Sequence, residues 1–404
     1  MINRYYNNLG QYIKQGKVLI LQGPRQVGKT TLVKNYLETL EKDYKYLYLT
    51  GDSIETMNIF SSQSKNIITN FASNIDLIVI DEAQKIPNIG LGLKILIDSI
   101  PEIKVITTGS SSFDLIKQVG EPLVGRSNKL MLYPVSLLEL KTEYPNEYML
   151  NQQLDKLLIY GLYPEVLNFE TDEQRREYLI TFVDMYLLKD VLEYSGIKGS
   201  QFLSDLLKLL AFQIGSLVSL TELSNQLQVN INTVQKYLDL LEKNYIIFSL
   251  GGYNRNLKKE VTSKKKYYFY DLGIRNALIS NFNKIGVRDD IGAIWENFLV
   301  MERLKKQEYG KIYANNYFWR TWDQKEVDFV EERDGKLYGF EFKWGKARSN
   351  STKLFTDTYK EASIEVINRD NYLHISSRIL AFLIVPLLKS FPKLHQCHLA
   401  PLSY

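Results

Sequence analysis

The segment Gly23-Pro-Arg-Gln-Val-Gly28-Lys29-Thr30 limits this chain's architecture more than any other feature, because it fills every fixed position of a phosphate-binding loop. The apolar run Val18-Leu19-Ile20-Leu21 precedes it, and Thr31-Leu32-Val33 follows as the start of a helix. A strand that ends in such a loop turns its backbone N–H groups inward around phosphate oxygens, and Gly23 and Gly28 allow that turn. Gly23, Pro24, Arg25, Gln26, Val27, Gly28, Lys29, Thr30 and Thr31 are therefore the expected nucleotide cradle. Lys29 sets an ammonium against the phosphates, Thr30 offers its hydroxyl to Mg²⁺, and the helix dipole favours the anion.

A second motif has the same chemistry. Leu77-Ile78-Val79-Ile80-Asp81-Glu82 reads as a buried parallel strand ending in two carboxylates. Asp81 is expected in the Mg²⁺ shell, and Glu82 is placed as the general base for the water that attacks the γ-phosphate. A third strand, Val105 to Thr108, leads into Gly109-Ser110-Ser111-Ser112, where Ser110 is the first choice to reach the γ-phosphate or the water.

With GPRQVGKTTL and IVIDEAQKIP, the segments TTGSSSF, LVGR, YPVSLLEL and YGLYPEV make the chain resemble a prokaryotic family of AAA-type ATPases related to the signal-transducing NTPases. The resemblance runs from about residue 15 to residue 374. It implies a C-terminal domain of uncertain function with a restriction-endonuclease-like core. It also implies that Arg126 is a candidate arginine finger, and that Gly161-Leu162-Tyr163-Pro164 is a Gly-x-Pro element beside a helical lid.

Composition narrows the class. A chain of 404 residues is too long for one compact core, and 45% hydrophobic with 24% charged residues is ordinary globular material. The net charge of +4 is too small to argue for a nucleic-acid partner unless the charge is locally concentrated. The single cysteine, Cys397, excludes an internal disulfide and a Cys-rich zinc site, and the neighbouring His395 and His398 read as part of a loose tail. No signal peptide is visible at the start, and the longest apolar run, Ile379 to Leu388, is too short to span a membrane. The expectation is a cytoplasmic protein without membrane contact.

Strands alternate with helices over residues 1–145, the mark of a parallel sheet covered on both faces. Residues 146–212 turn helical and are expected to form a lid. Residues 213–272 read as a winged helix: Ser219 and Glu222 make a capping box, Ile231 to Lys243 forms the second helix, and two strands follow around residues 246–250 and 267–270. Residues 273–374 are the expected restriction-endonuclease-like domain, and residues 375–404 are a tail with no assigned role.

The expected partners are ATP, DNA and a further copy of the chain. Asn232, Thr233, Gln235 and Lys236 lie on the outer face of the second helix. Between Gly251 and Lys266 the wing carries Arg255, Lys258, Lys259, Lys264, Lys265 and Lys266 against a lone acid, Glu260. Such a concentration suits a phosphate backbone, although winged helices also serve as plain interaction modules.

Further on, Glu326-Val-Asp328-Phe-Val330 and Leu337 to Lys343 read as paired strands around a turn at Gly335. The pairing brings Asp328 beside Glu341 and Lys343, which share a strand face. Two carboxylates bind Mg²⁺ or Mn²⁺, and the lysine orients or deprotonates a water for phosphodiester cleavage. A cross-strand salt bridge is the alternative for Glu341 and Lys343. Glu296, on the helix around Trp295-Glu-Asn-Phe-Leu299, resembles the extra metal-binding acid of the restriction-endonuclease-like nucleases, and Lys346 and Arg348 are candidate backbone contacts. Two functions follow: a DNA-processing ATPase with a metal-dependent nuclease site, or a regulatory NTPase switch whose C-terminal domain only binds.

Overall fold

The computed structural model describes residues 2–110, 122–187, 200–254, 264–345 and 351–376. Among them the strands form two sheets. The first has β1 (Val18–Gln22), β2 (Tyr46–Thr50), β3 (Leu77–Asp81), β4 (Lys104–Gly109) and β5 (Ser127–Met131) in the order β2-β3-β4-β1-β5, and every pairing is parallel. Helices on both faces bury Val18 to Leu21 and Leu77 to Ile80 completely, so these strands are continuous apolar runs instead of alternating ones. The carboxyl ends of β1, β3 and β4 converge where open α/β sheets bind ligands.

Helices Glu147–Tyr160, Pro164–Asn168 and Asp172–Phe182 follow this sheet. Thr171 and Gln174 form a reciprocal capping box that starts the last of them. After the helices Ser200–Phe212, Leu220–Gln226 and Ile231–Lys243 comes the second sheet. Ser219 Oγ accepts from Glu222 N at 3.4 Å, which is the first half of the expected capping box.

The second sheet joins two regions that the sequence separates. It comprises β6 (Leu217–Val218), β7 (Ile247–Gly252), β8 (Lys265–Phe269), β9 (Asn315–Arg320), β10 (Glu326–Arg333), β11 (Lys336–Phe342) and β12 (Ser363–Ile367), in the order β12-β11-β10-β9-β7-β8-β6. The junction is the parallel pair β7 and β9, with Gly251 opposite Tyr317.

A long helix, Ile291–Gly310, packs between the two sheets and buries Trp295, Phe298, Leu299 and Met301. Its polar side chains bond to the first domain. Glu302 Oε2 accepts from Leu137 N at 2.7 Å, Lys305 Nζ donates to Val135 O at 2.9 Å, and Glu308 Oε1 accepts from the Tyr6 hydroxyl at 3.0 Å. These bonds satisfy groups that burial would otherwise leave unpaired, so the helix fixes one sheet relative to the other.

Candidate nucleotide site and acidic C-terminal site

The phosphate loop leaves β1 with Gly23 at φ 147° and Gly28 at φ 94°. A Cβ on Gly23 would lie 2.1 Å from Leu132 O, so glycine is required there by space as well as by conformation. Lys29, Thr30 and Thr31 open the helix Lys29–Glu38, and the Lys29 ammonium is buried against Gly23 O at 2.9 Å and Pro24 O at 2.7 Å. Thr30 Oγ1 donates to Asp81 Oδ2 at 2.9 Å, which brings the two expected Mg²⁺ groups together. Their oxygens are the hard donors that Mg²⁺ takes, so the pair fits that ion.

Glu82 follows β3 with φ 53°, an unusual conformation for a glutamate that turns it away from the strand path. Its N–H donates to Thr108 Oγ1 at 3.0 Å, and its Oε2 accepts from Ser110 Oγ at 3.3 Å and from Gln84 Nε2. Thr108 also donates to Asp81 Oδ1, so one hydroxyl links both acids. The Tyr48 hydroxyl donates to Asp81 Oδ2 at 2.7 Å. Burial first, and then Asp81, push the Tyr48 phenol well above its ordinary range, which keeps it a donor.

The cleft around these groups measures about 710 Å³ and is lined by Arg25, Gln26, Gly28, Lys29, Thr30 and Glu82, among others. Pro164, Glu165, Asn168 and Tyr178 close it from the helical region, and Tyr178 donates to Gln26 Oε1. Arg4 lines it too, donating to Val27 O in the loop and pairing with Glu139 at 3.0 Å. Sequence reasoning missed Arg4, Tyr48 and Thr108. Neither Arg4 nor Tyr48 belongs to a motif, whereas Thr108 lies in the TTGSSSF segment two residues before Ser110, and that position was its signal.

Arg126 does not join this cleft. It immediately precedes β5 at the amino end of the sheet, where its carbonyl accepts from Val18 N at 2.9 Å. The phosphate loop leaves the opposite end of β1, about 16 Å away along the strand. The half-exposed Arg126 side chain pairs with Asp98 at 2.8 Å.

The Gly161 element also has a definite geometry. Asp271 Oδ2 accepts from Leu162 N at 2.6 Å, while Oδ1 caps the helix Leu272–Leu278 through Gly273 N at 2.8 Å. A Cβ on Gly161, which has φ 77°, would lie 2.0 Å from Asp271 Oδ1. Burial pushes the Asp271 carboxyl up to about 6 despite those backbone donors.

The second site lies in the seven-stranded sheet. Asp328 is buried, and its Oδ2 accepts from Phe342 N at 2.7 Å. Lys343 Nζ pairs with Glu341 Oε1 at 2.6 Å, so the strand-face prediction for these two is met as an ion pair. One oxygen each from Glu296, Glu326 and Asp328 lies within 4.8 Å of the others. The trio therefore takes Glu326 beside Glu296 and Asp328, while Glu341 is drawn to Lys343. Burial, then the charges of Glu296 and Glu341, hold the Asp328 carboxyl well above the usual range.

Lys266 corrects an expectation. Its sequence context places it in the solvent-facing wing, but its side chain is 1% exposed and its ammonium lies 2.9 Å from Glu296 Oε1 and also bonds Glu326 Oε1. Residues two apart on a strand share a face, and Lys266 shares one with Tyr268, whose hydroxyl also donates to Glu296 Oε1 on the long helix at 2.7 Å. Burial opposes the charge on Lys266, but Glu296, Glu326 and Asp328 raise its affinity for the proton above normal. Three carboxylates suit Mg²⁺ or Mn²⁺ by donor type, and the lysine supplies part of the compensating charge. Arg255, Lys258, Lys259, Glu260, Lys346, Arg348, Cys397, His395 and His398 lie outside the described residues. Among the described residues, no helix is long and apolar enough to cross a membrane.

Comparison with known proteins divides the chain in three. Residues 15–141 match the family described as an AAA domain, residues 151–285 a domain of unknown function (DUF8612), and residues 291–387 a domain of unknown function (DUF4143). An uncharacterized protein of Haemophilus influenzae is 26% identical over 394 residues, covering 90% of this chain and 93% of its own. One from Mycobacterium tuberculosis is 26% identical over 347 residues, covering 83% and 72%, and one from Methanocaldococcus jannaschii is 24% identical over 395 residues, covering 89% and 86%. A solved structure titled Structure of Drosophila ORC bound to DNA covers 69% of this chain and 94% of its own at 12% identity, with a TM-score of 0.26, too low to carry an argument. The phosphate-loop segment thus matches the AAA domain family, and the two segments after it match families without an assigned function.

Proposed function

We propose that the protein is a cytoplasmic ATP-hydrolysing enzyme that binds DNA, and that its C-terminal acidic site cuts DNA with Mg²⁺ or Mn²⁺. The observation that carries the ATPase reading is the meeting of Thr30, Asp81, Glu82 and Ser110 beside Lys29 at one end of the parallel sheet. Bound Mg²⁺ would be held by Thr30 and Asp81 and would neutralise phosphate charge. Lys29 binds the phosphates, Glu82 takes the proton of the attacking water, and Ser110 holds the Glu82 carboxylate in place. Arg126 lies too far from its own loop to act there, so as a finger it serves a neighbouring copy of the chain.

For DNA, the support is the arrangement of helices Leu220–Gln226 and Ile231–Lys243 with β6, β7 and β8, the order of a winged helix, together with exposed Lys264 and Lys265. For cleavage, it is the acidic trio with Glu341 and Lys343 alongside. A second reading, the regulatory switch, is favoured by one observation: Lys266 already lies on two of the three carboxylates.

Incubating the purified protein with supercoiled DNA and Mn²⁺ separates the two. The nuclease reading expects nicking that Asp328→Ala or Lys343→Ala abolishes while ATP turnover persists. A parent protein that binds no Mn²⁺ at Asp328 and cuts neither single- nor double-stranded DNA leaves the switch.

A further inference from the structure

The directions of the strands in the second sheet place four features at one end of it. β7 and β9 are parallel, β10 runs against β9, and β11 runs against β10. The carboxyl ends of β7, β9 and β11 therefore lie on the same side as the starts of β8 and β10. At that end stand exposed Lys264 and Lys265 entering β8, Glu326 opening β10, and Lys343 just after β11. The turn from β9 to β10, residues 321–325, projects from the same end and carries Trp322, whose side chain is fully exposed.

An exposed indole is common on loose loops, but this turn is tied by its own bonds. Thr321 N donates to Lys325 O at 2.9 Å, Gln324 N to Thr321 O at 3.1 Å, Lys325 N to Thr321 Oγ1 at 3.1 Å, and Thr321 Oγ1 to Asp323 Oδ1 at 2.6 Å. The tryptophan is thus held away from the protein with both ring faces open. Its charged neighbours are Arg320, paired with Glu326 at 3.0 Å, and Lys325, paired with the exposed Asp323 at 3.5 Å. A protein-binding face needs a contiguous patch of about 800 Å² per partner. Among the described residues, Trp322 has the polar Thr321, Asp323 and Gln324 beside it in the turn, with lysines at the same sheet end. An open π-face with Lys264 and Lys265 at the same end of the sheet is a combination that stacks a nucleobase while the phosphates meet the charges.

We propose that Trp322 is a stacking platform for an unpaired nucleobase, on a path for single-stranded DNA that runs from Lys264 and Lys265 to the acidic site at Glu326 and Asp328. The inference rests on the DNA-binding reading above and adds strand state and a recognition residue to it. A paired base inside a duplex offers no free face, so Trp322 distinguishes single strands from duplex.

The test measures binding of labelled oligothymidylate and of a blunt duplex to the full chain by fluorescence anisotropy over a range of salt. Trp322→Ala should weaken oligothymidylate binding about tenfold, leave duplex binding within about twofold, and keep the salt slope. Trp322→Phe should retain most of the single-strand affinity, and Lys264→Ala with Lys265→Ala should flatten the salt slope. If Trp322→Ala binds oligothymidylate like the parent, or loses both substrates equally, the stacking role is wrong and the DNA-binding reading survives. If the parent binds neither, both fall together.

Discussion

The Lys266 ammonium lies 2.9 Å from Glu296 Oε1, so β8 supplies a positive charge to an acidic cluster completed by the long helix and β10. Removing it exposes the carboxylates to one another. Lys266→Met should lower the stability of the metal-free protein by about 3–5 kcal/mol, the range for breaking a buried pair. Mn²⁺ should then raise the melting temperature of the variant more than that of the parent, because the cation replaces the lost charge. Equal Mn²⁺ shifts in the two proteins would show that the lysine and the metal do not compete.

Gly161 should tolerate no side chain. The backbone there has φ 77° and an added Cβ would lie 2.0 Å from Asp271 Oδ1, so Gly161→Ala forces Asp271 away from Leu162 N. A loss of about 2 kcal/mol or more is expected in denaturant unfolding, from strain plus an unsatisfied amide.

Asp271 gives a pH dependence whose sign is set by burial. Its carboxyl titrates at about 6 in the folded chain against an ordinary 3.8, so the folded state holds the proton more tightly than the unfolded state does. Its stabilising contribution is complete below the ordinary value and is lost as pH rises through about 6. Relative to Asp271→Asn, which does not titrate, the parent should gain about 2 kcal/mol between pH 7.5 and pH 4. Chemical denaturation of both proteins at the two pH values measures that difference; a constant gap contradicts it.

Arg126 lies at the end of β1 remote from its own phosphate loop, so its effect should require a neighbour. The specific ATPase rate of the parent should rise with protein concentration, and Arg126→Ala should lower turnover by about 10³-fold with little change in ATP affinity. A strict monomer with concentration-independent turnover would remove the finger role.

The fold class was legible because parallel strands buried on both faces are written as unbroken apolar runs, as in Leu77 to Ile80, and because the phosphate loop must follow a strand. Glu341 and Lys343 were also readable as neighbours, since a strand repeats every two residues. The junction of β7 with β9 was not readable, because Gly251 and Tyr317 pair across a long stretch of chain and no local pattern records such a partner. The position of Lys266 was hidden for the same reason: in sequence it is one of three adjacent lysines, and only the packing of the long helix against β8 tells it from Lys265. Arg4 and Tyr48 reach the nucleotide cleft by tertiary packing alone.

Most depends on Glu82 acting as base beside a phosphate site built on Lys29. Steady-state Mg²⁺-ATP hydrolysis, with nucleotide binding measured alongside on the parent, Lys29→Ala and Glu82→Gln, decides whether it does. The parent should turn over ATP, Lys29→Ala should bind nucleotide at least about tenfold more weakly, and Glu82→Gln should bind near the parental level with turnover reduced at least about 100-fold. Parental turnover by Glu82→Gln would contradict the base role.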